Sequence, residues 1–295
     1  MQLAIAIIDA FTNQTFRGNP AATILVDEFP EEAKMQQIAA EMNLSETAFA
    51  KPLDKNFFQN HFQLRWFTPK QEVPLCGHAT LAIAHYLREL SVLDTNLPII
   101  FSTLSGDLTI SFEEQLIVMD FPATIYKTCS ERSQQLLAEM LRDQPYETLG
   151  QAEDYLTVLL GSESAVQNFQ PQYERIAELD GFGFIITAIA DPDRSYDFVS
   201  RFFAPKAGIQ EDPVTGSAHC SLTPYWAKRL SKSDLKAKQL SARTGELIVS
   251  DRGARVLLKG EAMTFLGTGQ LKRDRRICVF FVGMKSAFQH SSLIN

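Results

Sequence analysis

The sequence predicts an α+β protein of two similar lobes built from a duplicated domain. Its 295 residues suit about two domains. Short apolar runs of strand length dominate, with few helical stretches between them. Blocks of sequence also recur at a fixed spacing. Ser102-Thr103-Leu104-Ser105-Gly106-Asp107-Leu108 resembles Ser241-Ala242-Arg243-Thr244-Gly245-Glu246-Leu247, which sets Gly245 139 positions after Gly106. The same offset carries Gly77 onto Gly216 and Ala79 onto Ala218. Upstream, Arg65-Trp66-Phe67-Thr68-Pro69-Lys70 resembles Arg201-Phe202-Phe203-Ala204-Pro205-Lys206 at an offset of 136, so the second copy carries a three-residue insertion within 207–215. The period is too long for a solenoid repeat. A constant register across three blocks is more than shared turn chemistry supplies.

The elements follow in order. Gln2 to Ala10 reads as a buried strand, and Pro20 leads into a second at Ala21 to Val26. Pro30-Glu31-Glu32 opens a helix, because proline suits a first turn and acidic groups suit its positive end. Met35, Ile38, Ala39 and Met42 recur at helical spacing, and Asn43 ends the helix in a left-handed conformation. Thr47 to Ala50 forms a short strand, and Phe62, Leu64 and Trp66 alternate along another. A helix spans Ala79 to Leu90, followed by strands at Ile99 to Thr103, Leu108 to Phe112 and Leu116 to Phe121. The polar stretch Pro122 to Ser133 links the lobes. Strands follow at Tyr155 to Leu160, Phe184 to Ala190 and Phe198 to Phe203, then a helix from His219 to Leu230. Hairpin-like strands are expected at Gln239 to Ala242, Leu247 to Ser250, Arg255 to Lys259 and Ala262 to Leu266, with a last apolar run at Ile277 to Val282. The expected division is 1–121 for the N-terminal lobe, 122–283 for the C-terminal lobe and 284–295 for a tail packing back on the N-terminal lobe.

A hydrophobic fraction of 45 % with 21 % charged residues describes an ordinary soluble globular chain. The net charge of −7, with Lys and Arg scattered, argues against nucleic-acid binding. Asp9 interrupts the first apolar run too early for a secretion signal, and no stretch reaches the roughly 18 apolar residues of a membrane span. Cys76, Cys129, Cys220 and Cys278 form no CxxC pair, so reduced thiols and a cytoplasmic location are expected.

Two equivalent lobes about a pseudo-twofold axis bring equivalent loops face to face. Those loops are Pro74-Leu75-Cys76-Gly77-His78-Ala79 and Asp212-Pro213-Val214-Thr215-Gly216-Ser217-Ala218, each between a strand and a helix. Helix N-termini offer free N–H groups to a carboxylate, and glycine lets the ligand come close. Gly18-Asn19-Pro20-Ala21, Asn43-Leu44-Ser45-Glu46-Thr47, Cys76-Gly77-His78-Ala79-Thr80 and Glu211-Asp212-Pro213-Val214-Thr215-Gly216-Ser217-Ala218 stand in the order of the PhzF-like phenazine biosynthesis isomerase family, which the chain resembles over nearly its whole length. The resemblance implies the diaminopimelate epimerase-like fold, in which each lobe is a curled, mostly antiparallel sheet around a central helix, and a homodimer. It implies a cofactor-independent isomerase like trans-2,3-dihydro-3-hydroxyanthranilate isomerase, acting on a small carboxylated substrate. Carried over, Glu46 is the general acid/base, His78 and Asp212 complete the catalytic set, and Gly77, Gly216 and Ser217 bind substrate. Arg243-Thr244-Gly245-Glu246 departs from the glutamine- and glycine-richer family form.

A carboxylate can remove a proton from carbon and return it when it is shielded from water and held beside the carbon. From context alone Glu46 reads more readily as a solvated loop residue, Asp212-Pro213 as turn chemistry, His78 as a capping or core residue and Ser217 as a helix cap; the family motifs reverse that preference. A racemase or epimerase using Cys76 is the alternative chemistry. The fold's two-thiol machine has one cysteine before each loop glycine, whereas Thr215 precedes Gly216 and Cys220 lies beyond it. A non-catalytic small-molecule binding protein is the other alternative. His78 and His85 share a helix face, and His219 lies in the second loop region, but a third convergent ligand is wanting, so no metal site is expected. Gly181-Phe182-Gly183 is no dinucleotide fingerprint.

Overall fold

The computed structural model describes residues 3–53, 60–94, 96–268 and 280–282. The first half of the chain runs β1 (Ala4–Ala10), β2 (Asn19–Leu25), α1 (Glu32–Met42), β3 (Glu46–Pro52), β4 (His61–Phe67), β5 (Glu72–Val73), α2 (Gly77–Glu89), β6 (Ile99–Thr103), β7 (Gly106–Glu113) and β8 (Leu116–Pro122). The second runs α3 (Glu131–Met140), β9 (Tyr146–Ala152), β10 (Tyr155–Leu160), α4 (Glu163–Asn168), α5 (Tyr173–Ile176), β11 (Gly183–Ile189), β12 (Phe198–Ala204), a 3-10 turn at Pro205–Ala207, β13 (Ile209–Asp212), α6 (His219–Leu230), β14 (Asp234–Gln239), β15 (Gly245–Asp251) and β16 (Arg255–Gly260). β17 (Ala262–Thr268) and β18 (Phe280–Val282) close the described chain.

The two halves pair their strands in the same sequence. β1–β2 is antiparallel, β2–β3 parallel, β3–β4 antiparallel, β4–β6 parallel, and β6–β7–β8 antiparallel. β9–β10, β10–β11, β11–β12, β12–β14 and β14–β15–β16 repeat that pattern in order. The sheets are therefore mixed and mostly antiparallel, as predicted. β8 joins β16 along the seam, with Met119 opposite Leu258.

Each half has one principal helix against its strands. Residues 78–87 of α2 are all buried, as expected of a helix enclosed on every side. α6 buries Leu222, Trp226 and Ala227, and its Pro224 cannot donate to the carbonyl of Cys220. That carbonyl accepts the N–H of Thr124 instead, which fastens the crossing segment onto α6. Tyr126, on the same segment, donates to Ser221 at 3.2 Å, and Lys127 bridges Gln151 of β9. At the other end of the chain the same exchange occurs: β17 runs along β1, and Thr264 donates to Glu89 of α2 at 2.5 Å.

Several elements depart from the sequence reading, which held no strand at β5, β9 or β13 and no helix at α3, α4 or α5. The strand expected at Gln239 to Ala242 lies at Asp234–Gln239, where Leu235, Ala237 and Gln239 face inward and the lysines between them mask the apolar signal. The polar link ends sooner than expected, because Ser130 accepts from the N–H of Ser133 and starts α3. α4 starts likewise on Ser162, which accepts from Ala165. The expected left-handed Asn43 is present, at φ 49° and ψ 36°. The 284–295 tail and Cys278 lie outside the described residues.

Candidate active site

Glu46 opens β3, opposite Ala21 of the parallel neighbour β2, and Asn19 opens β2 at the same end. Cys76 is the N-cap of α2 and His78 its second residue. The Cys76 side chain makes no capping bond; its Sγ lies 3.5 Å from His78 Nδ1. On the far side of the ring, Nε2 lies 3.2 Å from Glu46 Oε2. The pair is at ion-pair distance, yet both atoms are buried and neither has a hydrogen-bond partner among the described residues. Side-chain exposure is 7 % for His78 and 13 % for Glu46.

Asp212 ends β13 and is buried. Asn19 Nδ2 donates to its Oδ1 at 2.8 Å and to the carbonyl of Val214 at 2.9 Å. The Thr215 hydroxyl donates to Oδ2 in a short bond. Gln239 then ties the loop to itself: its Nε2 donates to the Asp212 carbonyl at 2.7 Å, and its Oε1 accepts the Thr215 N–H at 2.9 Å. His219 Nδ1 donates to the Thr215 carbonyl at 2.8 Å, so the ring's neutral tautomer is fixed from behind. Ser217 does not cap α6, whose N-cap is Ala218; its hydroxyl sits 2.9 Å from that of Tyr155.

The two loops meet at their glycines. A Cβ built on Gly77 would lie 3.8 Å from the Gly216 Cα, and the reverse distance is the same. The duplicated ion pairs behind them match as well. Arg65 grips Glu72 through two bonds of 2.7 and 2.6 Å, and Arg201 grips Glu211 at 2.7 and 3.0 Å. Ser105 donates to the carbonyl of Pro74 and Ser241 to that of Pro213, so each glycine loop is held by a hydroxyl from its own half's hairpin turn.

Electrostatics divide these groups. Burial raises the Asp212 carboxyl to about 6, against the opposing pull of His78 and of the Thr215 and Asn19 donors. Burial disfavours the His78 imidazolium, but the Cys76 sulfur and the Glu46 carboxylate more than offset it and hold its pKa well above the usual value. Burial pushes the Cys76 thiol up to about 11, against the pull of His78, and lowers His219 to about 4, leaving the His219 imidazole neutral near pH 7. Cys220 is buried on α6 and pushed to about 12, also by burial. Among the described residues no pair of thiols faces across the glycines, since Thr215 holds that place and is engaged by Asp212.

The sequence reading passed over Asn19, Thr215, Gln239 and Tyr155 as site residues. Asn19 and Thr215 stand inside the quoted motifs, but their partner Asp212 is 193 positions from Asn19, and no local spacing signals that contact. The histidines go separate ways: His85 pairs with Glu89 at 3.2 Å. A cavity of about 210 Å³ lies elsewhere, lined by Phe11, Arg17, Tyr196, Lys236, Thr244 and Lys259 among others, and none of Glu46, His78 or Asp212 borders it. No helix among the described residues is long and apolar enough to cross a membrane.

A model of the phenazine biosynthesis-like protein family matches residues 8–267. An uncharacterized isomerase of Halalkalibacterium halodurans is 43 % identical over 266 residues, covering 90 % of this chain and 97 % of that protein. The crystal structure of a PhzF-family phenazine biosynthesis protein from Enterococcus faecalis superposes with a TM-score of 0.79 at 38 % identity, over 90 % of this chain and 97 % of the other. A probable proline racemase from Agrobacterium radiobacter superposes with a TM-score of 0.57 at 9 % identity, over 92 % and 94 % of the two chains, which shows a shared epimerase-like fold alone.

Proposed function

The chain belongs to the phenazine biosynthesis-like family of isomerases, and from that premise we propose that it moves a proton on a small carboxylated substrate without a cofactor, Glu46 removing the proton and returning it. The observation that carries this reading is the Glu46–His78 pair, 3.2 Å apart, buried and without hydrogen-bond partners among the described residues, beside two facing glycine loops. A carboxylate in that position is shielded from water and has no donor to release before it acts.

The other groups take supporting roles. The His78 imidazolium faces Glu46 at 3.2 Å and offers its proton to charge developing on the substrate. Asp212, with both oxygens accepting from Asn19 and Thr215, is fixed as a carboxylate that holds a substrate amino or hydroxyl group. Gly77 and Gly216 leave room for a substrate carboxylate beside the first backbone N–H groups of α2 and the turn before α6. The buried state of His78 and Asp212 means that the loops part for substrate to enter, and closure keeps the abstracted proton on the enzyme. A two-thiol racemase is disfavoured by Thr215, whose hydroxyl is committed to Asp212.

Proton exchange in deuterated water, followed by NMR over a panel of cyclic and acyclic amino and hydroxy acids, tests the reading. Wild type should exchange or shift a carbon-bound hydrogen, and Glu46→Gln should fold normally and lose the exchange by about 10²–10⁴-fold. Full exchange in that variant refutes the role of Glu46. Binding without exchange in the wild type leaves a binding protein.

A further inference from the structure

The same cluster has a second chemical capacity. Glu46, Cys76 and His78 each present a metal-ligating atom, and the three atoms lie within 4.8 Å of one another. Thiolate, imidazole and carboxylate form the ligand set of a zinc site with one position left open. The Cys76 Sγ to His78 Nδ1 distance of 3.5 Å is the S···N edge of a zinc tetrahedron, about 3.5 Å for bonds of about 2.3 and 2.0 Å. All three residues sit on regular structure, at a strand start, an N-cap and a first helical turn, so the sulfur and Nδ1 stand at ligand spacing and Glu46 needs only a side-chain turn to join them. His78 is more than nine-tenths buried, and Glu46 Oε2, beside the ring's Nε2, has no hydrogen-bond partner among the described residues and can turn toward an ion held at the Nδ1 edge.

We propose that Glu46, Cys76 and His78 form a Zn²⁺ site whose occupancy switches the isomerase off. The ion bonds to the Cys76 sulfur and a His78 ring nitrogen and takes an oxygen of Glu46, and the thiol proton leaves to solvent. A zinc-bound Glu46 is no longer free to take a proton from carbon, and a zinc-bound His78 no longer carries one. The site is thus inhibitory and not a cofactor site. The inhibitory part rests on the role proposed for Glu46; the binding part does not.

The test uses the full metal-free chain with Zn²⁺ and with Co²⁺ as its optical reporter, read by calorimetry and by the thiolate-to-cobalt charge-transfer band. One ion per chain, a thiolate band and displacement of Co²⁺ by Zn²⁺ are expected. Cys76→Ala should abolish the band and weaken Zn²⁺ binding by about 100-fold or more, while Cys129→Ala, Cys220→Ala and Cys278→Ala leave both intact. His78→Asn, read separately, should weaken binding with the thiol still present, so that misfolding of one variant does not decide the matter. Absence of a thiolate band in the wild type, or a band that survives Cys76→Ala, overturns the site. Binding with undiminished proton exchange overturns the switch and leaves the Glu46 assignment to its own test.

Discussion

Asp212 is held by donors on both carboxylate oxygens while burial works against its charge, and the balance places it near pH 6. Thr215 is the half of that balance a single substitution can reach. In Thr215→Val the donor is lost, the carboxylate is less favoured and its pKa rises. If Asp212 acts as the carboxylate, the acid limb of the pH–rate profile should begin near pH 6 in the wild type and move upward in the variant, with Thr215→Ser restoring it. A purely structural Thr215 predicts lower stability with an unmoved limb. At this scale the motifs singled out Glu46, His78 and Asp212 but gave Thr215 only as the residue standing where a thiol is missing. Its task became visible when its hydroxyl was seen on Asp212, because a hydrogen bond depends on where a side chain ends, which spacing does not encode.

The turn and first residues of α6 carry a second titrating group. His219 is wholly buried, donates to the Thr215 carbonyl and lies against the Phe198 ring at a tilt, centroids 6.0 Å apart. Its folded pKa of about 4 lies below the ordinary 6.5, so its contribution is present above pH 6.5 and is lost as pH falls toward 4. A shift of that size corresponds to about 2–3 kcal/mol at pH 4.5. His219→Gln, which keeps a donor, should therefore lose much of its stability deficit relative to wild type between pH 7.5 and 4.5, read as denaturation midpoints at both pH values. Nearby, Gly77→Ala meets the Gly216 Cα at 3.8 Å, an ordinary contact, so the fold should survive within about 1 kcal/mol. The added methyl occupies the space between the loops, and proton exchange should fall sharply while the unfolding midpoint barely moves.

For the molecule as a whole, strand pairing repeats from one half to the other, and one departure from the repeat joins the halves. Leu104 and Arg243 are equivalent turn residues, yet Leu104 is exposed and Arg243 reaches across to the β1–β2 loop. Its guanidinium pairs with buried Asp9 at 2.6 Å and donates to the carbonyls of Gly18 and Arg17. Gly18 donates to the Thr244 carbonyl and Glu246 to that of Phe11, so the same turn holds the strand that begins at Asn19. Arg243→Leu restores the residue type of the first copy and strands the Asp9 charge. It should cost about 2–3 kcal/mol, less than the roughly 3–5 kcal/mol of a fully buried pair because Arg243 is a third exposed. A double-mutant cycle with Asp9→Asn should recover most of that loss; simple additivity would show that the pair does not couple the halves.

The sequence by itself determined most strands of each half, the helices α1, α2 and α6, the duplication and the loops that carry Glu46, His78 and Asp212. Those features rest on periodicity, turn residues and motif order, which are written within a few residues of one another. Phe62, Leu64 and Trp66 could face only one way, and all three are buried. Where a strand adds is another matter, because backbone donors and acceptors are the same in every residue and any edge can accept any strand. Only the tertiary structure decided that β17 adds to β1, that Asn19 closes on Asp212 and that Gly77 meets Gly216, each a contact between segments far apart in the chain whose energy appears only once both are in place.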